Sequence, residues 1–147
     1  MSEQTEGQIV IEATAAEIMD VLTDFEAYPD WADVKSVKIL QRGEGGVGTR
    51  VAFEVEVPVL GKASYTLAYR YAPGEGGMSW VSTEARGAVS NIAGEYLLTE
   101  IDGDETKVIY RLAVDLGVLL PGFVRTQGEK RVIENALEGL KRRVELG

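Results

Sequence analysis

Residues 49–71 read TRVAFEVEV-PVLG-KASYTLAYRY, and this stretch decides the architecture. In its first arm Val51, Phe53, Val55 and Val57 fall on one side, and Arg50, Glu54 and Glu56 on the other. In its second arm Tyr65, Leu67, Tyr69 and Tyr71 oppose Ser64, Thr66 and Arg70. Side chains alternate between the two faces of a strand, so each arm is a strand with one dry and one wet face. Pro58–Gly61 between them is short and glycine-ended, which joins the arms as a hairpin.

The same period of two extends both ways. Val37–Arg42, Thr49–Val57, Ala63–Ala72, Met78–Ala85, Ala88–Glu100 and Thr106–Asp115 are candidate strands. The breaks between them are short and rich in glycine: Gly43–Gly48, Pro58–Gly61, Pro73–Gly77, Arg86-Gly87 and Asp102-Gly103-Asp104. Parallel neighbours would need long crossovers, so this order predicts an antiparallel meander.

Upstream, Gln8–Glu12 is a short β-rich run. Thr14-Ala15-Ala16-Glu17 then forms a capping box that opens a helix carrying Ile18, Val21, Leu22 and Phe25. That helix should stop before Pro29, and Tyr28-Pro29-Asp30-Trp31 turns into a second short helical segment. Downstream of Pro121 a helix runs to about Leu146, with Val132, Ile133, Ala136, Leu137, Leu140 and Val144 in one stripe. A sheet with one dry face needs a cover, and this helix is the only element long enough. The expected fold class is α+β: a curved antiparallel sheet wrapped around a long C-terminal helix, with two short helices after the first strand. All 147 residues, 1–147, are expected to form a single domain.

Composition narrows the function. With 15 basic and 24 acidic residues the net charge is −9, which argues against nucleic acid as a partner. Cysteine and histidine are both absent, which removes disulfides, thiolate and histidine catalysis, and the usual zinc ligands. Acid–base work would fall to Asp, Glu, Lys, Tyr or Arg. Met1–Gln8 has no signal-peptide pattern and no apolar run reaches the ~20 residues of a membrane span, so a cytoplasmic location is expected. No phosphate-cradling glycine motif occurs, and Asp102-Gly103-Asp104-Glu105 reads as a hairpin turn.

Three features break the plain pattern. First, the helix stripe turns polar toward its N-terminus, where Arg125, Thr126 and Glu129 line up with Ile133, Ala136 and Leu140 beside Gly128. Either these turns overhang the sheet into solvent, or they look into a wet cavity where Gly128 makes room. Second, alternation places Phe53, Tyr65, Tyr69, Trp80, Tyr96 and Tyr110 on the dry faces of successive strands. Rings with polar tips suit a pocket lining better than a tight core, although an ordinary core or a parity-flipping bulge would also accommodate them. Third, Leu116–Phe123 is apolar yet punctuated by Gly117, Pro121 and Gly122. It reads as a hydrophobic loop at a cavity mouth, with transient membrane contact through 116–124, or as the packed end of the last strand.

The order of strand, two helices, six strands and long helix resembles the START-related superfamily, which includes polyketide cyclases/dehydrases, Bet v 1-like proteins and coenzyme Q-binding proteins. Ile9-Val10-Ile11 before a capped helix with Asp24, Tyr28-Pro29-Asp30-Trp31, Gly48-Thr49-Arg50 and Thr106-Lys107-Val108 carry the resemblance, which spans nearly the whole chain. It implies a helix-grip fold with a cavity between helix and sheet. It also implies binding of a small hydrophobic molecule such as a lipid, polyketide or quinone, with no metal or cofactor. It does not separate carriers from enzymes or fix an oligomeric state, and no catalytic residue transfers.

The leading expectation is a binding or transport protein. Phe53, Tyr65, Tyr69, Trp80, Tyr96 and Tyr110 would line its cavity, Trp31 and Phe123 would stand nearer the mouth, and Arg125, Thr126 and Glu129 would meet a polar ligand group. The alternative is a cyclase, aromatase or dehydratase in which Glu129 works with Tyr65, Tyr69 or Tyr110 as acid–base groups and Arg125 steadies an enolate.

Overall fold

The computed structural model describes residues 4–117 and 120–147. The chain runs β1 (Thr5–Ile11), α1 (Ala15–Thr23), a 3-10 turn at Phe25–Ala27, α2 (Tyr28–Trp31), β2 (Ser36–Arg42), β3 (Gly48–Val57), β4 (Gly61–Tyr71), β5 (Gly77–Gly87), β6 (Val89–Asp102), β7 (Glu105–Leu116) and α3 (Gly122–Leu146). Every expected element is present, with most strand ends shifted by a residue or two. β1 begins three residues earlier than expected, and α1 stops at Thr23, which leaves Phe25 in the 3-10 turn.

The strands form one seven-stranded antiparallel sheet in the order β1-β7-β6-β5-β4-β3-β2. Six follow one another as the hairpin spacing predicts, and β1 adds to β7 on the far side. This is the START-type helix-grip architecture. Bulges interrupt β2 after Ile39 and the β4–β5 pairing between Thr66 and Leu67. They increase local twist and help the sheet curl.

The capping box is formed: Thr14 Oγ1 accepts from the Glu17 amide, and the Glu17 carboxylate accepts from the Thr14 amide. Ile18 and Leu22 of α1 are fully buried, as is Phe25 in the turn that follows. Together they plug one end of the sheet. Thr106, buried at the start of β7, donates to the Ala13 carbonyl and ties that plug to the sheet.

The helix α3 crosses the concave face with Ile133, Leu137 and Leu140 buried, but none of its residues before Glu129 is buried. Two glycines set how closely it lies. A Cβ on Gly7 would stand 2.5 Å from Ile133 Cγ2, and one on Gly139 would stand 2.6 Å from the Trp31 carbonyl oxygen. Side chains there would force α3 off β1 and α2. The outer face is not uniformly wet, because Thr66 is buried there.

Candidate ligand-binding site

Cross-strand register brings the dry-face rings together. Tyr65 stands opposite Phe53, Tyr69 opposite Trp80, and Tyr96 opposite Tyr110. Their rings form a chain of contacts, with centroids 5.8 Å apart for Tyr69–Trp80, 5.4 Å for Trp80–Tyr96 and 4.5 Å for Tyr96–Tyr110. Phe25 links this chain to the other end of the wall, 4.8 Å from Tyr69 and 6.5 Å from Phe53. Gly94 makes the layout possible: the Trp80 ring lies over it, 2.7 Å from where a Cβ would sit.

Phe53, Tyr69, Trp80, Tyr96 and Tyr110 are buried, as alternation predicts, and Tyr65 is half-buried. Their polar tips behave in two ways. Tyr28 donates its hydroxyl to the Leu22 carbonyl, and Tyr71 donates to the Gly48 carbonyl. The hydroxyls of Tyr65, Tyr69, Tyr96 and Tyr110 have no hydrogen-bond partner among the described residues. Nor are they sealed from water; the sealed, unpartnered atoms are Trp31 Nε1 and Arg125 Nε.

Burial pushes every one of these phenols above the ordinary tyrosine range, Tyr65 to about 12, and Tyr28, Tyr69 and Tyr96 well above it. Tyr110 is raised by the same desolvation and, second, by the nearby Tyr65. At neutral pH they are protonated donors.

The first turns of α3 depart from expectation in three places. Glu129 does not look into a wet space. It is 4% exposed, with one carboxylate oxygen taking the Thr5 hydroxyl at 2.7 Å and the other the Val114 amide at 2.8 Å. The last described β1–β7 pair is Thr5–Leu112, and the carboxylate takes the strand amide two residues beyond it. Gly128 makes no room inside: it is exposed, with nothing within 4 Å of an added Cβ. The stretch 116–124 is less of a loop than expected, since Leu116 belongs to β7 and 122–124 to α3; Val118 and Leu119 lie outside the described residues. Phe123 projects from the helix, 73% exposed. Thr126 folds back on the Gly122 carbonyl at 3.0 Å, and Arg125 is half-buried. Trp31 packs beside Tyr28, with ring centroids 5.0 Å apart.

Two other depressions are open surface grooves. One, of about 210 Å³, has Arg70, Ser79 and Glu95 in its lining, and the other, of about 410 Å³, has Lys35, Glu54, Lys62 and Arg86. Their charged lining residues on β3–β6 sit on the wet face, while Tyr71, Met78 and Tyr96 also border the first groove.

Alternation missed Phe25 and Tyr28, which precede the strands yet join the ring network. The only available signal was their place at the end of the α1 apolar pattern.

The sequence profile of the family described as polyketide cyclase / dehydrase and lipid transport matches residues 2–145, and this chain belongs to that family. Among solved structures it is similar to a START superfamily protein from Mycobacterium smegmatis, with 21% identity, 97% of each chain covered and a TM-score of 0.89. It is similar also to the Zhui aromatase/cyclase from a Streptomyces species, with 18% identity, 99% of this chain and 94% of that one covered, and a TM-score of 0.80. A third is a STAR-related lipid transfer protein from Xanthomonas axonopodis, with 20% identity, 97% and 85% coverage, and a TM-score of 0.73. No match was found among curated protein sequences.

Proposed function

We propose that this protein binds and carries a small hydrophobic molecule between the aromatic wall and α3, and that it does so in the cytoplasm. One observation carries the reading. Tyr65 keeps accessible surface although protein surrounds it almost completely, and the hydroxyls of the buried Tyr69, Tyr96 and Tyr110 are unpartnered but unsealed. Surface of that kind, on the concave side of the sheet, is what a ligand seated between the wall and α3 would cover. A buried hydroxyl with no partner is costly, about 1–3 kcal/mol, and water or a ligand in that space removes the cost.

Phe53 and Trp80 supply apolar area beside these phenols, at about 25 cal/mol per Å² removed from water. Leu120, Phe123 and Val124, exposed around the start of α3, are the side chains through which the protein would touch a membrane transiently while loading. No helix among the described residues is long and apolar enough to cross one.

The family also covers cyclases and dehydrases, and the aromatase/cyclase likeness keeps turnover as the second reading. The groups offered for it here are phenols held neutral and a Glu129 whose two oxygens are both engaged. These favour holding a molecule over moving its protons.

Nile red, a flat neutral dye, tests the reading when titrated into the native protein and followed by its emission and by native mass spectrometry. Saturable binding of one dye per chain, lost when Trp80 is changed to Ala in a variant that still folds, is the expected result. Non-saturating uptake that ignores the Trp80→Ala change would refute the interior site.

A further inference from the structure

We infer that the site is selective for a neutral, flat molecule bearing oxygen acceptors, and that it turns away carboxylates and plain hydrocarbons of equal size. This rests on the ligand-binding reading above and deepens it.

The first observation is the absence of a cation on the concave face of the sheet. By register, the inward positions from Val51 on β3 to Leu116 on β7 carry no Lys or Arg, and their one carboxylate, Glu100, lies at the α1 end and accepts the Ala15 amide. Of the two charged residues that α3 brings over this face, Glu129 is already bonded through both oxygens, and its negative charge repels another anion. Arg125 stands one turn further out, half-buried. A carboxylate seated against the wall away from Arg125 would therefore be desolvated with no cation beside it, which is far costlier than burying a neutral group.

The second observation is the placing of the donors. Tyr96 and Tyr110, cross-strand partners with ring centroids 4.5 Å apart, both carry unpartnered hydroxyls, donors for a ligand carbonyl oxygen. Tyr65 is four residues from Tyr69 on the same face of β4, about 13 Å away along the strand, and lies against Phe53. The Tyr69 hydroxyl is unpartnered as well, so the wall offers four donors beside the ring surface of Phe53 and Trp80. A hydrocarbon in this space would displace water from these hydroxyls and return nothing to them. Sites built to hydrogen-bond a ligand reject the analogue that lacks the bonding atom.

Three probes of one size make the test: 2,6-diacetylnaphthalene, 2,6-diethylnaphthalene and naphthalene-2,6-dicarboxylate. Each is titrated into the full chain at pH 7 and followed by tryptophan fluorescence and calorimetry. The diketone should bind about tenfold tighter than the hydrocarbon and about a hundredfold tighter than the dicarboxylate. Changing Tyr96 and Tyr110 together to Phe should weaken the diketone about tenfold, leave the hydrocarbon unchanged, and leave the melting temperature where it was. If the hydrocarbon matches the diketone, or the dicarboxylate binds as tightly through Arg125, the selectivity is overturned while the Nile red site stands. If none of the three binds saturably and Nile red also fails, both readings fall together.

Discussion

The two ends of the concave face use tyrosine to opposite effect. Where α1 and its following turn plug the sheet, Tyr28 and Tyr71 reach the carbonyls of Leu22 and Gly48, and Phe25 is fully buried among rings. Along β4, β6 and β7, Tyr65, Tyr69, Tyr96 and Tyr110 are as deep or nearly so, but their hydroxyls are left open. Residue type is shared and depth is similar, so the contrast comes from the cover. At the plugged end the cover supplies Phe25 and the Leu22 carbonyl. Over the open hydroxyls no such carbonyl is supplied, and α3 has no buried side chain before Glu129.

The largest way to break the contrast is to hollow the packed end. Phe25→Ala should cost about 3–5 kcal/mol, because the ring is fully enclosed and its neighbours are tied to the sheet; thermal unfolding checks it. An equally large loss from Tyr65→Ala would show that the two ends are packed alike.

Alkaline titration comes next. The unfolded chain releases phenol protons near pH 10, whereas the folded chain holds them more tightly, Tyr65 to about 12. Above pH 10 the unfolded state therefore binds fewer protons, so stability is unchanged below pH 10 and falls as the pH climbs toward 12. Unfolding midpoints measured across that range, with phenolate absorbance at 295 nm, should fall together with the appearance of the buried phenolates. A flat stability profile would count against burial of these groups.

Removing single hydroxyls sharpens the comparison. Tyr28→Phe should cost about 1 kcal/mol by denaturant titration, because it strands the Leu22 carbonyl, whereas Tyr96→Phe should cost close to nothing. The smallest effect is expected at Gly128→Ala. The position is exposed, helical and unobstructed, so the change should stabilise α3 by up to about 1 kcal/mol.

Much of this was legible in the sequence. Period-two alternation located β3, β4 and β7 almost to the residue, and Thr14–Glu17 announced α1, because those signals are local. The inward rings were legible for the same reason. The state of their hydroxyls was not, since that depends on what lies across the interior. Glu129 shows the limit most clearly. A carboxylate in an apolar stripe suggests a wet surround, and only the folded register, which sets Val114 beyond the last described β1–β7 pair, reveals the amide that it serves. Gly128 misled in a simpler way: a helix tolerates an exposed glycine, and position along the chain says nothing about which side of α3 it occupies.

The engagement of Glu129 has a consequence for assembly. Its carboxylate takes the Val114 amide beyond the last described β1–β7 pair, so the docked helix closes that point of the β7 ladder to another chain. Were α3 to lift away, the same motion that uncovers the aromatic wall would also leave a bare amide at the sheet's rim, and two molecules caught in that state could stitch together there.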